Sequence, residues 1–206
     1  MALLPNQDDV QYKSALQGAT IPFGYSAPRL SNAVTSGSGS IEHTALGAEL
    51  NTGGTAGSSA ALECMDAVAY NGQVTKLTMI YAVPNGISTG TTAKVGWGIL
   101  DGGAPKGAVL DLQNNEFQVG NDSVRTSKPA TTSFNANTFN TLHVEIDEAA
   151  NETTFEHHTG TGGETVTIPD AQGPGNGRVA DITTTGKVDG ITVKLVRQSF
   201  FNKSDL

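Results

Sequence analysis

The 206-residue chain has one cysteine, Cys64. No disulfide can form within it, and a zinc site built on cysteines is excluded. The setting of that residue, Ala60-Ala61-Leu62-Glu63-Cys64-Met65, is that of a small buried hydrophobe rather than a nucleophile. Positive charge is also scarce: 12 Lys and Arg against 20 Asp and Glu leave a formal net charge of −8. Without a basic run there is nothing to displace the counterions of a phosphate backbone, so no nucleic-acid partner is expected. No apolar stretch reaches the length that spans a bilayer, so no membrane insertion is expected. Met1 to Asp9 (MALLPNQDD) lack a basic start and an apolar core, so a secretory signal is not expected and the chain should fold in a cytoplasm. Charged residues make up only 16% and aromatics 6%, a thin supply for a helix bundle but sufficient for sheet-on-sheet packing.

What is present is alternation. Leu142, Val144 and Ile146 alternate with His143, Glu145 and Asp147, and after a polar turn Thr153, Phe155 and His157 alternate with Thr154, Glu156 and His158. Period two with one apolar face predicts a β-hairpin against a core. Similar segments recur about every ten residues: 41–50, 60–69, 75–83, 94–100, 108–112, 116–119, 164–168 and 190–198. In Val95-Gly96-Trp97-Gly98-Ile99 the large residues share one face, and the two glycines bare the other to a close neighbour. The expectation is an all-β, antiparallel two-sheet jelly-roll sandwich over residues 36–206. Its core should include Leu77, Met79, Val95, Trp97, Ile99, Leu142, Val144, Ile146, Phe155, Ile191, Val193 and Leu195.

Residues 1–35 lack a period. They carry Pro5, Pro22 and Pro28, a short helix is predicted near Asp8 to Leu16, and Ser36-Gly37-Ser38-Gly39-Ser40 reads as a hinge beyond them. The apolar residues Leu3, Leu4, Ile21, Phe23, Tyr25 and Leu30 are expected to anchor this extended N-terminal arm on a neighbouring subunit. Deleting residues 1–30 should then leave a folded sandwich that no longer assembles.

The order of segments resembles a family: a central V-x-W-x-I strand (Val95, Trp97, Ile99), a ribbon ending in a phenylalanine strand (Phe117), and the L-H-V-E-I-D hairpin to a T-x-F strand (Phe155). A loop with Ile168-Pro169 and a final I-T-V-K-L strand complete it. This is similar to the concanavalin A-like lectin and glucanase jelly roll, of the kind found in structural proteins of tailed viruses. The resemblance covers about residues 36–200.

The glucanase branch of the family carries paired acids in an E-I-D-x-E or E-I-D-x-x-E strand, one nucleophile and one acid/base. Glu145-Ile146-Asp147 matches its first half, but positions 149 and 150 are both alanine, Glu148 points to the other face and Glu152 lies across the turn. No catalytic residue is therefore expected. His157 and His158 are adjacent on a strand and cannot easily chelate one ion, so they read as a solvated pair or as one histidine beside an acid. His43 and His143 have no partner in sequence. The lectin branch implies calcium on loop oxygens, for which Asp101-Gly102-Gly103, Asn114-Asn115-Glu116, Asn121-Asp122 and Asp170 are candidates beside ordinary turn chemistry. No other cofactor and no metal site is expected. The glycine-rich stretches match no phosphate-binding motif. A sugar platform would come from Trp97, Tyr81, Tyr70 or Phe139, with Trp97 read first as core.

The expectation is thus a non-enzymatic virion structural protein, a capsid decoration or turret subunit or a tail component. Its partners would be itself, as a trimer or pentamer, a major capsid or tail protein, and a host-surface glycan. The alternative is a free carbohydrate-binding lectin-like module, and behind it a divergent glycoside hydrolase.

Overall fold

The computed structural model describes residues 32–44, 47–63, 74–84, 86–101, 104–120, 125–147, 149–170, 178–184 and 192–202, at several strand positions by the backbone alone. The six anchor residues of the arm and the helix expected near Asp8 lie outside these residues. Among those described there is no helix, and so none long and apolar enough to cross a membrane.

The strands are β1 (Asn32–Ser36), β2 (Ser40–Thr44), β3 (Gly47–Asn51), β4 (Ser59–Glu63), β5 (Val74–Ala82), β6 (Thr91–Asp101) and β7 (Ala104–Asp111), followed by β8 (Glu116–Gly120), β9 (Arg125–Pro129), β10 (Phe139–Asp147), β11 (Glu152–Thr159), β12 (Gly162–Ile168), β13 (Arg178–Thr184) and β14 (Thr192–Asn202). Two seven-stranded sheets run β1-β4-β13-β6-β7-β8-β9 and β12-β11-β10-β5-β14-β3-β2, and every pairing is antiparallel. This is the expected two-sheet sandwich.

The alternation that suggests the hairpin is what buries it. Asn140, Leu142, Val144 and Ile146 of β10 are buried in turn while the residues between them reach the outer face. Val144 faces Phe155 on β11 and Leu77 on β5 in register. From the other sheet Phe117 meets Phe155 with ring centroids 4.9 Å apart, so two aromatic rings join the layers at mid-core. Met79, Val95, Leu142, Val144, Ile146 and Phe155 are buried as expected. The side chains of Leu77, Trp97, Ile99, Ile191, Val193 and Leu195 lie outside the described residues.

Gly96 shows why its strand needs a residue without a side chain. The β7 backbone passes so near that an added Cβ would lie 2.6 Å from Val109 Cα and closer still to the Ala108 carbonyl oxygen. Gly96→Ala is expected to cost about 1–3 kcal/mol, the range for forcing atoms into a packed site. A denaturation midpoint equal to the parent's would refute the close approach.

Four expectations change. The segment 41–50 is not one strand but the hairpin β2–β3, with Thr44 opposite Gly47; Ala45-Leu46 carries no turn residue to mark the reversal. Strands β1, β9 and β13 were not expected. The strand β1 pairs with β4, so the sandwich includes residues 32–35, which had been expected to belong to the arm. Finally, Ser36 to Ser40 is a pinned corner rather than a hinge. Gly39 N donates to the Ser36 carbonyl at 3.0 Å. Ser38 N donates to Ser58 Oγ at 2.9 Å, and Ser38 Oγ donates to the Thr52 carbonyl at 3.2 Å. Serine and glycine are flexible only where nothing pairs their polar groups, and here the 52–58 loop does.

Candidate functional site

On β10 Asp147 serves the turn. Asp147 Oδ1 accepts the Ala150 N–H at 2.9 Å, holding the four-residue reversal whose Asn151 has φ 53°, and Glu152 lies opposite Asp147 in register. Glu148 lies outside the described residues. A carboxylate that accepts a backbone N–H in this way is a turn cap.

The histidines divide by face. His157, read as part of a solvated pair, is wholly buried. Position 157 falls on the core face of β11, so its ring packs under Tyr81 (6.1 Å between centroids, 11° between planes) and edge-on to Phe117. Its Nε2 is 2.8 Å from the Tyr81 hydroxyl. The Nδ1 makes no hydrogen bond of ordinary geometry, and the Thr132 backbone is the polar group beside it. Burial pushes the Tyr81 hydroxyl far up, keeping it protonated. Burial likewise pulls His157 below its ordinary value, against the Thr132 backbone and Glu164 and with the help of His158. His158, half-exposed, stands 3.9 Å from Glu156, the acid neighbour expected for one of the pair. His143 does have a partner: its Nδ1 is 2.8 Å from Thr78 Oγ1, and its ring lies edge-on to His158 at 5.9 Å. Burial lowers the His143 pKa as well, against the pull of Glu156.

Both shifts act on stability in one direction. Folding favours neutral His143 and His157, so their contribution is complete above the ordinary value of 6.5 and is lost as pH falls through the lower folded values. The urea midpoint is expected to fall between pH 7 and pH 5. A midpoint flat or rising across that interval would contradict the buried, neutral His157.

The calcium candidates are largely occupied. In the β7–β8 turn Asp111 Oδ1 accepts the Gln113 and Asn114 N–H groups at 3.0 and 3.1 Å, and its Oδ2 accepts Asn114 Nδ2. Asn115 sits at φ 53° and donates to the Ala130 carbonyl. Glu116 accepts Gln118 Nε2 at 3.0 Å, and hydrogen bonds from Ser127 and Gln118, with Arg125 nearby, hold its carboxyl below the ordinary value against partial burial. Asp170 Oδ2 accepts Thr126 Oγ1. The Asp101 side chain, Gly102, Gly103, Asn121 and Asp122 lie outside the described residues. Among those described, no three His, Cys, Asp or Glu side chains are grouped to hold a metal.

Of the aromatic candidates Tyr81 is core, Tyr70 and the Trp97 side chain lie outside the described residues, and Phe139 is 62% exposed. Phe139 opens β10 opposite Ala82, at the end of a loop held from three sides. Glu164 on β12 accepts Thr131 N and Oγ1 and Thr132 N at 2.9, 2.8 and 2.7 Å. Burial alone would raise its pKa, but these bonds and His157 outweigh burial and lower it. The buried Asn140 amide accepts Asn135 N at 2.8 Å and donates to the Asn135 and Thr138 carbonyls at 3.1 Å. Asn137, at φ 62°, donates its N–H to the Val83 carbonyl. The aromatic face is therefore presented on a fixed backbone, which lowers the ordering cost of binding.

Solved structures share this arrangement. The VIP36 exoplasmic/lumenal domain in its Ca2+/Man3GlcNAc-bound form superposes with TM-score 0.61 at 12% identity, over 90% of this chain and 89% of that one. The metal-free Emp46p carbohydrate recognition domain gives 0.57 at 7% identity, over 86% and 96%. A protein of unknown function from Shewanella oneidensis MR-1, SO2946, gives 0.60 at 12%, over 96% and 97%. The fold is the concanavalin A-like lectin sandwich. No protein-family profile matches the chain, and no curated protein sequence does.

Within this lectin fold the structure brings together residues that the sequence keeps apart. The Tyr81–His157 pair, the Asn140 amide and the Glu164 clamp were not anticipated. Their one signal was a polar residue at a core-facing step of an alternating strand, as with Asn140 two places before Leu142 and His157 two places after Phe155.

Proposed function

We propose that this chain is a non-enzymatic carbohydrate-binding module of the lectin type. The observation that carries the proposal is the sandwich shared across about nine-tenths of the chain with a lumenal domain described in its Man3GlcNAc-bound form. A second likeness, to a domain described as carbohydrate-recognising, supports it. The occupied Asp147 carboxylate and the alanines at 149 and 150 support the non-enzymatic half. A virion setting has no such support, and the lectin reading, the alternative at the outset, now takes precedence over it.

The test is an array of immobilised neutral and acidic glycans probed with the intact protein. Retention of a defined glycan class is expected, together with no hydrolysis of soluble β-glucans. Failure to retain any glycan would overturn the binding function. Hydrolysis at an enzyme's rate that is lost in Glu145→Gln would overturn the non-enzymatic one.

A further inference from the structure

The strand pairings gather one set of connections at a single end of the sandwich. Ser36 is opposite Ser59, Ser40 opposite Asn51, and Ala82 opposite both Phe139 and Lys194. Asp111 is opposite Glu116, and Glu116 opposite Pro129. Six connections with described residues therefore meet there: 37–39, 52–58, 83–84 with 86–90, 112–115, 130–138 and 160–161. None contains an Asp, Glu, Lys, Arg or His. In a chain of net charge −8 this is a surface of amides, hydroxyls and glycine. The seventh connection, 185–191, carries Lys187 and Asp189 and lies outside the described residues.

The described carboxylates that border this end are each hydrogen-bonded within the fold. Asp111 is buried on the 113–114 backbone, Glu164, only partly covered, accepts from the 131–132 backbone, and Glu116 accepts Gln118 Nε2. At the rim stands Phe139, the one exposed large hydrophobic among the described residues. Beside it are Asn135, Thr138 and the Gly160-Thr161 turn. A side chain at position 160 would begin 3.3 Å from Asn135 Nδ2, so glycine there lets the turn lie against that amide.

We propose that the six uncharged connections at this end, with Phe139 as their platform, form the binding site for a neutral glycan. The proposal rests on the carbohydrate-binding function above and adds the site and the ligand's charge. An aromatic face on a rigid loop matches the apolar C–H face of a pyranose, and neighbouring amides and hydroxyls match its rim of hydroxyls. A sulfated, phosphorylated or sialylated ligand would bury its charge against described connections that supply no counter-charge, which is costly. The described carboxylates at this end are already hydrogen-bonded and no three of them are grouped to hold a metal, so the proposed binding is expected not to need calcium.

The test uses the intact protein, its Phe139→Ala variant, and an array of neutral, sialylated and sulfated oligosaccharides, each read with calcium and with EDTA. Retention of a neutral oligosaccharide is expected, unchanged in EDTA and weakened roughly tenfold in Phe139→Ala, as truncation of a central aromatic contact does. Circular dichroism of the variant should match the parent, since the replaced ring is exposed. Glycan binding that is unaffected by Phe139→Ala, lost in EDTA, or confined to acidic glycans would overturn the site while leaving the lectin function standing. Loss of self-association in Phe139→Ala with glycan binding unchanged would assign the ring to contact with a second copy, and would also overturn it. No glycan retained by the parent would overturn both.

Discussion

Replacing Phe155 with alanine is expected to destabilise the protein by about 3–5 kcal/mol, the range for truncating a buried phenylalanine. The ring is fully buried, belongs to β11, and reaches across the core to Phe117 of the facing sheet at 4.9 Å. Its removal forfeits the hydrophobic gain of withdrawing that ring from water, and the atoms that line the void no longer have its dispersion attraction. The site should relax little, because neighbours on both flanks are held by strand pairing, with Val144 opposite on β10 and Val166 opposite on β12. Equilibrium denaturation in urea would measure the loss. A change below about 1 kcal/mol, the cost of an ordinary surface substitution or less, would mean that the two sheets do not close over this ring.

His157→Ala is expected to approach the same size for a different reason. The substitution opens a void between Tyr81 and Phe117 and leaves the Tyr81 hydroxyl buried without its partner at 2.8 Å. An orphaned buried hydroxyl alone costs about 1–3 kcal/mol, and the void adds to it. The two contributions separate in the pair of variants. Tyr81→Phe by itself strands the imidazole and should cost about 1–3 kcal/mol. Tyr81→Phe with His157→Leu removes both polar groups at similar volume and should recover most of the loss. If the double variant were as unstable as the sum of the singles, the hydrogen bond would not be what couples them. The His157 variants should also show a weaker fall of the urea midpoint between pH 7 and pH 5, with His143 supplying what remains.

The fold was readable wherever a strand has one wet and one dry face. Alternation in β10 and β11 marked which of Leu142, Val144, Ile146 and Phe155 turn inward, and those residues are buried. The strands that escaped notice sit where that rule has little hold. Strand β9, Arg-Thr-Ser-Lys-Pro, is an edge with no buried residue, and edge strands keep polar residues and proline to block further pairing. Strand β1 is the edge at the other side. Strand β13 lies inside its sheet between β4 and β6, but Ala180 and Asp181 between Val179 and Ile182 blur its period. In β14 the register shifts between Leu195 and Arg197, and such a bulge ends any simple alternation.

The absence of a cysteine pair, of a basic run and of an acid at position 149 or 150 are properties of the sequence alone, and they already exclude an intrachain disulfide and argue against a nucleic-acid partner and a paired-carboxylate hydrolase. So is the two-sheet sandwich, because its signal lies in neighbours two residues apart. The site is different in kind. His157 and Tyr81 are 76 residues apart, Glu164 clamps a loop 32 and 33 residues before it, and the six uncharged connections are scattered from residue 37 to residue 161. Each connection on its own reads as an ordinary polar loop. Only the antiparallel pairing, which returns the chain to the same end after every second strand, collects them into one surface and sets Phe139 on its rim. Local periodicity is written in the sequence. Which loops become neighbours depends on strand order, and strand order is decided when the two sheets close over a shared core.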